Sequence, residues 1–560
     1  MTSLKHWHLR SRTFKDVWST SLNVKRLRLA LPSFRNCDYQ AKMERYFKIL
    51  DQELFCEKIN LKKVLEICEQ KFKVPTTPLF VYSKAQLTAN IKTYQDALRQ
   101  LACQTQLNYA VKANPNLTLV KTIQSLGVSA TLISGNEIRL ALEAGFEPSR
   151  LMYNGGGKYT WETRLAIEHN LLINVDSEWD LRQTIDICQN GFSEPRKARV
   201  LLRLNLNIDP AVHKFVNTGT ADSKFGLDDE ESEKCLQLLQ QPDCPTELVG
   251  LHSHLGSTIY HSDVFRVSVE KLLECRTKLL QRGFGNVNII NIGGGLGIDY
   301  KYLECETRPW RCESETNQAR LITLRDLLLK ARVEGVDSEE QKSIHEMTNS
   351  IISYIAESIS LADLKQASKE FLKNCPSWTT KLEENSLTTT KPKHATPYDL
   401  MNSIQDLLSD KTLQLILEPG RSLVANTCVV ISRVMGCKKT SQKKFVIIDA
   451  AMTEIIRPCL YGAYHHVSVL QDLASSQVSK AVYDVVGPVC ESSDFIAKDR
   501  LLPNPENGLV VIHDVGAYCY SMASNYNIRM RPAEVMVTVE KCDLIRRPDT
   551  YDEFMTPYRI

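Results

Sequence analysis

From about residue 80 onward, short apolar runs alternate with segments of helical periodicity. The helix-like segments include Leu117–Leu126, Glu137–Ala144, Trp179–Cys188 and Phe265–Arg282. Alternation of this kind predicts parallel strands joined by crossover helices. Eight such units close into a (β/α)8 TIM-like barrel with its active site at the C-terminal strand ends; an open doubly wound sheet is the alternative. The apolar runs are Pro78–Tyr82, Leu107–Val111, Leu172–Val175, Val200–Leu204, Val249–His252, Val287–Ile292 and Leu413–Leu417.

The character of the chain changes after about residue 426. The stretches KKFVIIDAAM, AVYDVVGPVC and GLVVIHDVGAYCYS predict strands separated by Pro, Asn and Gly turns, with little helix between them. A chain of 560 residues also exceeds what one core needs. We therefore expect an α/β barrel over 81–425 and a C-terminal β-sandwich or β-barrel domain over 426–560. Residues 45–80 precede the barrel and are expected to join the β domain.

The segment 304–394 interrupts the alternation. It begins with the polar stretch ECETRPWRCESETNQ, offers two helix-like stretches, and ends in SLTTTKPKHATP. Its length far exceeds the usual connection in a compact domain. Two interpretations remain open: an insertion with its own helices, or intron sequence translated as protein.

Composition excludes several classes of function. The formal net charge of +3 is too small to indicate a nucleic-acid partner, and no apolar run is long enough to predict a membrane span. The 17 cysteines show neither a C-x-x-C pair nor clustered zinc spacing, so we expect no metal and a reducing, intracellular compartment. The extension 1–44 is basic and contains few acids, which is typical of a plastid or mitochondrial transit peptide. A disordered basic tail on a cytoplasmic protein is the alternative.

The stretch NYAVKANPN places Lys112 at the end of an apolar run, just before Asn-Pro-Asn. A lysine there is usually a solvated surface charge. In a partly desolvated barrel mouth, however, an amine can form a Schiff base with a carbonyl. The stretch NIGGGLGIDY adds Gly293, Gly294 and Gly295 after another apolar run, where backbone N–H groups can approach a phosphate closely.

Further polar groups follow other predicted strands. HSHLGS contains His252, His254 and Ser257, which are either core histidines with a helix-capping serine or an imidazole and a hydroxyl facing a cofactor. LEPGRS ends the last apolar run with Glu418 and Arg421. These two residues either form an ion pair at the strand end, or Glu418 pairs with a ring nitrogen and Arg421 binds an anion. In the β-rich part, GPVCESSD offers Cys490 as a proton donor, although most cysteines are inert.

These stretches occur in the order YAVKAN, HSHLGS, NIGGGLGI, LEPGR, CESSD and GAY. In that order they resemble the fold-type III decarboxylases that depend on pyridoxal 5'-phosphate, and within them the diaminopimelate decarboxylases. The resemblance covers about 50–303 and 395–560, including connecting text such as VHKFVNTGTADSKFG and DAAMTEIIRPCLYGAYHH. It implies an enzyme that decarboxylates meso-2,6-diaminopimelate to L-lysine in the last step of lysine biosynthesis.

The resemblance also implies roles for single residues. Lys112 would carry pyridoxal 5'-phosphate, His254 would stack on the ring, and Glu418 would pair with the pyridine nitrogen. Cys490 would be the catalytic proton donor, delivered by the second subunit of a homodimer with shared sites. The cofactor-binding residues would be Lys112, His254, Ser257, Gly293, Gly294, Gly295, Glu418, Pro419, Gly420, Arg421 and Tyr518. The residues that bind the amino-acid substrate would be Arg421, Arg457, Tyr461, Glu491 and Tyr518.

The sequence departs from that family at two positions after the lysine strand. The usual ADVVSGGE is here ATLISGNE, so that Thr131 stands for an aspartate and Asn136 for a glycine. In relatives that aspartate lies beside the lysine and the cofactor. Thr131 and the insertion leave open a catalytically silent paralogue that binds a partner, although intact Lys112, Cys490 and Glu418 oppose it. A decarboxylase of ornithine or arginine is a further alternative. It is disfavoured by Arg457 and Tyr461, because an unpaired buried arginine is costly.

Overall fold

The computed structural model describes 46–50, 53–210, 218–219, 223–300, 394–441, 443–470 and 480–560, with the isolated residues 343, 346–347 and 370–371. The chain divides into two compact units, Met1–Ile298 with His394–Ile560, and Asp299–Lys393. The basic extension 1–44 and nearly all of the expected insertion 304–394 lie outside the described residues. None of the helices that the structure describes combines the length and apolar character needed to cross a membrane.

The chain enters the first unit through a small antiparallel sheet of β1 (Phe47–Leu50), β2 (Glu53–Cys56) and β3 (Ile59–Asn60). Helix α1 (Leu61–Ile67) follows at once, because the side chain of Asn60 accepts a hydrogen bond from the Lys62 N–H at 2.8 Å and caps it. Strand β4 (Leu79–Ser83) is buried throughout.

The described residues form a closed barrel of eight parallel strands. The strands are β5 (Gln104–Ala110), β6 (Ser129–Leu132), β7 (Leu151–Tyr153), β8 (Leu172–Val175), β9 (Ala198–Arg203), β10 (Thr246–His252), β11 (Ile289–Asn291) and β12 (Gln414–Leu417). Closure occurs where β12 pairs with β5, with Ile416 opposite Gln106. The predicted barrel is therefore confirmed, and the open sheet is excluded.

Helix α2 (Lys84–Leu98) joins β4 to the first barrel strand, and seven further helices connect the barrel strands among the described residues. They are α3 (Leu117–Ser125), α4 (Gly135–Glu143), α5 (Thr160–Glu168), α6 (Glu178–Asn190), α7 (Asp229–Leu239), α8 (Asp263–Gln281) and α9 (Pro397–Ile404). Several begin at a side-chain cap: Ser83, Asn116 and Ser134 each accept a backbone N–H of the first turn. Inside the barrel, Met152, Leu172, Leu201, Val249 and Ile416 pack into one apolar layer from five different strands. That layer fills the barrel, so polar side chains are left to the strand ends.

After the short helix α10 (Arg421–Val424), the described residues complete a nine-stranded sheet. Its later strands are β13 (Cys428–Lys439), β14 (Lys444–Ile448), β15 (Val467–Val469), β16 (Lys480–Val486), β17 (Phe495–Pro503), β18 (Leu509–Ile512), β19 (Ala533–Thr538) and β20 (Lys541–Arg546). The helices α11 (Arg457–Tyr461) and α12 (Tyr551–Met555) accompany them.

Strand β4 corrects one expectation about the barrel. The run Pro78–Tyr82 counts as its first strand in the sequence, but β4 pairs antiparallel with β13 and parallel with β19. The buried core around it joins side chains from both ends of the chain, such as Val64, Val81, Val429 and Val535. The barrel has eight strands without β4 because it contains two strands, β6 and β7, that were not among the predicted apolar runs.

Candidate functional site

Lys112 lies at the C-terminal end of β5, in a short 3-10 turn over Val111–Ala113. The turn is closed by the Asn114 N–H, which donates to the Val111 carbonyl at 3.0 Å. Both neighbours of Lys112 are buried, whereas Lys112 itself is exposed. The strand therefore holds an accessible amine on a fixed, buried backbone at the barrel mouth.

The Asn-Pro-Asn segment after Lys112 is bound to the β domain. The Asn114 Nδ2 donates to the Tyr82 hydroxyl at 2.9 Å and to the Gly516 carbonyl at 3.0 Å. The Tyr82 hydroxyl donates in turn to Glu534 Oε1 at 2.7 Å, and Asn116 Nδ2 donates to Glu534 Oε2 at 3.0 Å. These buried contacts fix the lysine turn against strands β4 and β19.

Glu418 follows β12 and is buried among neutral donors. Among the described residues, its Oε1 accepts hydrogen bonds from Asn291 Nδ2 at 2.9 Å, Thr131 Oγ1 at 3.0 Å and Asn154 Nδ2 at 3.2 Å. Its Oε2 accepts from Asn154 Nδ2 at 3.1 Å and lies 3.6 Å from the His252 Nε2. The carboxylate therefore has a single fixed orientation.

Burial and nearby charges shift three pKa values in this group. Burial raises the pKa of Glu418, although the donors Asn291 and Thr131 and the positive Lys112 oppose that rise. Burial, together with the charges of Arg203 and Lys112, lowers the pKa of His252 well below its usual range. The pKa of His254 is lowered in the same way, first by burial and then by Lys112. Both histidines are therefore neutral near pH 7.

The glycine turn after β11 lies directly against Glu418 and His254. The Gly294 N–H donates to His254 Nδ1 at 3.2 Å, and the Gly293 carbonyl accepts from the Glu418 N–H at 2.8 Å. A Cβ on Gly294 would lie 2.2 Å from the Glu418 carbonyl oxygen, and Gly295 has a φ of +108°. Only glycine fits at these positions, so the backbone comes close to whatever occupies the mouth.

Arg421 and Ser257 meet at the same barrel mouth. The Arg421 Nε and Nη2 donate to the Ser257 hydroxyl at 3.1 and 3.0 Å. The Arg421 guanidinium also lies over the Tyr518 ring, 4.9 Å from its centroid, and the Tyr518 N–H donates to the Ala113 carbonyl at 2.9 Å. Tyr518 thus links the arginine to the turn that carries Lys112.

Pro419 and Gly420 complete the link between β12 and β5. The Pro419 carbonyl accepts from the Ala110 N–H at 3.2 Å. A Cβ on Gly420 would lie 3.0 Å from the Ala113 Cβ and 3.2 Å from the Tyr518 hydroxyl oxygen. These two residues hold Glu418, Arg421 and Lys112 close together.

Arg457 and Tyr461 are the two ends of α11 in the β domain. Arg457 is buried, and its Nη1 lies 2.8 Å from the His465 Nε2. The His465 Nδ1 lies 2.9 Å from the His513 carbonyl. Since that carbonyl can only accept, His465 is neutral, with its proton on Nδ1 and its Nε2 accepting from Arg457. A buried guanidinium is therefore held in a defined direction.

Cys490 and Glu491 lie on an exposed turn between β16 and β17. The Cys490 N–H donates to Asn527 Oδ1 at 2.9 Å, and Glu491 Oε1 accepts from the Ser493 N–H at 3.2 Å. Within the described part of one chain, no hydrogen bond or ion pair joins this turn to Lys112. The structure thus groups most candidate residues in one mouth but leaves this pair outside that group.

Two site residues are missing from the sequence-based set. Asn154 and Asn291 both donate hydrogen bonds to Glu418. They are polar residues at the ends of barrel strands, in the stretches MYN and IIN, and that position was the available signal. Neutral amides are common at strand ends, so the stretches alone did not distinguish them. His252, from the stretch HSHLGS, also faces Glu418. No group of three or more metal-binding side chains occurs among the residues that the structure describes.

Fold and site together define the class of this protein as a barrel enzyme that depends on pyridoxal phosphate. In agreement, the family model described as "Pyridoxal-dependent decarboxylase, pyridoxal binding domain" matches residues 84–320. A probable chloroplastic diaminopimelate decarboxylase of Oryza sativa subsp. japonica is 34% identical over 94% of this chain and 87% of its own. The diaminopimelate decarboxylase of Aquifex aeolicus is 31% identical over 91% of this chain and 97% of its own. The chain belongs to the diaminopimelate decarboxylase family.

Solved structures agree in fold. The diaminopimelate decarboxylase of Helicobacter pylori, complexed with L-lysine, has a TM-score of 0.66 and 26% identity, and covers 88% of this chain and 98% of its own. The enzyme of M. jannaschii, also with L-lysine, has a TM-score of 0.68 and 26% identity, and covers 92% of this chain and 98% of its own.

Proposed function

We propose that this chain is a decarboxylase that depends on pyridoxal 5'-phosphate and converts meso-2,6-diaminopimelate to L-lysine and carbon dioxide, as the last step of lysine biosynthesis. The observation that carries the proposal is the joint position of Lys112 and Glu418. An accessible amine and a buried, oriented carboxylate share one barrel mouth with a glycine turn. Relatives that cover nearly the whole chain have names that give the substrate.

The residues present fit pyridoxal 5'-phosphate. Lys112 would bond to its aldehyde carbon, and Glu418 would accept the N–H of its ring. The phosphate would lie between Ser257, Arg421 and the turn Gly293–Gly295, where missing Cβ atoms let N–H groups approach. When bound, the cofactor supplies an electron sink for the carbanion left by the departing carboxylate.

The protein residues have separate tasks in this proposal. The neutral His254 would lie flat against the ring, and its Nδ1 is already directed by the Gly294 N–H. Tyr518 would position Arg421 by cation–π contact. Glu418 keeps its carboxylate fixed by neutral donors, so it can accept a ring N–H without rearranging.

The distal end of the substrate would be recognised by the β domain. Diaminopimelate carries a second carboxylate and a second ammonium, which ornithine-type substrates lack as a pair. Arg421, Arg457 and Tyr461 would bind the distal carboxylate, and Glu491 would bind the distal ammonium. Arg457 is buried and directed by His465, which suits a fixed anion contact.

We also infer a homodimer with shared sites. Cys490 and Glu491 are exposed, on a turn whose hydrogen bonds lead to Asn527 and Ser493. Tyr526 and Ile528, which flank Asn527, expose 47% and 56% of their surface, so they place apolar area beside this turn that a second copy could cover. A second copy that covers this patch would receive Cys490 in its own barrel mouth, where the thiol would serve as the proton donor.

For location, we propose import into an organelle. The basic composition of 1–44 supports this, and the rice relative is named chloroplastic. A fusion of these 44 residues to a fluorescent protein tests it, with the remainder of the chain as the control fusion. Cytoplasmic fluorescence of the first fusion would contradict the proposal.

The activity is tested with purified protein, added pyridoxal 5'-phosphate and one amino acid at a time. Release of carbon dioxide and L-lysine from meso-diaminopimelate is expected, with the Lys112→Ala variant as the inactive control. Ornithine and arginine serve as competing substrates, because decarboxylation of either in preference to diaminopimelate would refute the proposed specificity. Absence of turnover with all three would favour a silent paralogue.

A further inference from the structure

The two carboxylate oxygens of Glu418 have unequal surroundings. Oε1 accepts from Asn291, Thr131 and Asn154, which more than fills the two lone pairs of one oxygen. Among the described residues, Oε2 accepts from Asn154 alone, with the His252 Nε2 at 3.6 Å, beyond a hydrogen bond. Oε1 is therefore the anchor, and Oε2 is the oxygen that can accept one more donor.

Thr131 is the last member of a directed chain of hydrogen bonds in the barrel. Gln414 Nε2 donates to Gln106 Oε1 at 3.1 Å, and Gln106 Nε2 donates to Asn108 Oδ1 at 2.8 Å. Asn108 Nδ2 then donates to Thr131 Oγ1 at 3.2 Å, and Thr131 Oγ1 donates to Glu418 Oε1 at 3.0 Å. Because Thr131 accepts from Asn108, its own proton points at Glu418. Chains with one donor direction strengthen each bond in them.

We propose that Thr131 is a positioning residue whose hydroxyl donates to Glu418 Oε1 and anchors that oxygen, so that Oε2 accepts the ring N–H of pyridoxal 5'-phosphate. This inference rests on the proposed function, since it assumes that cofactor. It also gives a role to the position at which the sequence departs from its family. A second carboxylate at 131 would accept rather than donate, and would compete with Glu418 for one proton.

The charged groups near Glu418 define the pH dependence. Lys112 faces it from the end of β5 and Arg203 acts on it from the end of β9, both favouring the ionised form. His252 faces it from β10 and is neutral, because its pKa is lowered. Loss of the Thr131 donor would raise the pKa of Glu418 further. For each unit by which the pKa of Glu418 exceeds the pH of the measurement, binding of a cofactor with a protonated ring weakens about tenfold.

The test is the dissociation constant of pyridoxal 5'-phosphate, measured by absorbance titration of the cofactor-free protein between about pH 6 and about pH 9. Thr131→Val should bind about tenfold more weakly at the acid end and approach wild-type affinity at the alkaline end. Thr131→Ser should behave as wild type. The matched control is Thr184→Val, because the buried Thr184 hydroxyl donates to the Asp180 carbonyl at 2.8 Å and is not hydrogen-bonded to Glu418.

A purely structural role would weaken binding equally at every pH, and that result would overturn the inference. Wild-type affinity of Thr131→Val at the acid end would also overturn it. If the valine variant fails to fold, Thr131→Asp is tested in its place. The added carboxylate should extend the weakened cofactor binding to still higher pH. Lysine formation by the wild type tests the proposed function separately. An inactive wild type with the expected Thr131 pattern would refute only that function.

Discussion

The buried Tyr82 hydroxyl offers the sharpest test of how the lysine turn is supported. It donates to Glu534 Oε1 at 2.7 Å and accepts from Asn114 Nδ2 at 2.9 Å. In Tyr82→Phe, Glu534 keeps Asn116 and Asn114 keeps Gly516, so neither is fully orphaned. One hydrogen bond to a carboxylate and one neutral hydrogen bond together contribute about 2–4 kcal/mol. We expect that loss of unfolding free energy near neutral pH.

The sign of the pH dependence follows from Glu534. Burial raises its pKa, while the Tyr82 and Asn116 donors hold it down. A carboxyl group whose folded pKa exceeds its unfolded value loses stability as the pH rises from the unfolded value through the folded one. Tyr82→Phe raises the pKa of Glu534 in the folded state further. The variant therefore continues to lose unfolding free energy up to a higher pH than the wild type does. The difference from wild type should be about 2 kcal/mol near pH 5, where both lost hydrogen bonds are neutral, and should grow toward pH 8.

Urea unfolding at the two pH values measures this difference, from the midpoint of the transition that contains the β domain. The control is Tyr94→Phe, because the buried Tyr94 hydroxyl lies 2.7 Å from the neutral Ser422 hydroxyl. That variant should lose about 1 kcal/mol at both pH values. An equal loss for Tyr82→Phe at both pH values, or the same trend in Tyr94→Phe, would refute the reasoning.

Three further predictions concern the site itself. Arg457→Gln should raise the KM for meso-diaminopimelate on the order of 100-fold with a smaller change in kcat, because a charge-assisted contact is lost in both ground and transition states; steady-state kinetics measure this. Gly294→Ala should weaken pyridoxal 5'-phosphate binding at least about tenfold, since its Cβ would clash at 2.2 Å, whereas Gly157→Ala has open space and should bind normally in the same titration. Inactive Lys112→Ala and Cys490→Ala proteins, mixed and reassociated, should recover about a quarter of wild-type activity if sites are shared, because half the dimers would contain one intact site.

Each of these has an outcome that contradicts it. An unchanged KM in the arginine variant would remove that residue from the substrate site. Equal binding by the two glycine variants would show that the backbone approach is unimportant. Two inactive proteins that stay inactive after mixing would argue that each subunit has a complete site of its own.

Much of the barrel was predictable because its strands are apolar and alternate with helices of regular period. Strand β6 escaped because Ser129 and Thr131 interrupt its apolar character, and β7 escaped because its 3 residues lie alone between the stretches EPSR and NGGG. The run at β4 was assigned to the barrel because an apolar run does not encode its partners. Its pairing with β13 and β19 depends on residues far away in the chain.

The candidate site was likewise predictable from the sequence only in part. Motif order placed Lys112, Glu418 and the glycine turn together, since parallel strands end on the same side of a barrel. The neutral residues that orient Glu418 had no comparable signal, because an asparagine at a strand end is ordinary. The contact from Thr131 to Glu418 depends on the rotation of a single hydroxyl group, which only the three-dimensional arrangement determines.

The pairing of β4 with β13 also has a consequence for synthesis of the chain on the ribosome. Strand β4 ends at Ser83, and its antiparallel neighbour begins at Cys428. At ordinary rates of translation, the nascent β4 waits on the order of tens of seconds for that neighbour, and longer for β19. All eight barrel strands are synthesised during this interval, while an apolar strand with unpaired backbone groups stays at their N-terminal side. The waiting strand is therefore where a chaperone would bind the growing chain, and where premature pairing between two nascent chains would begin.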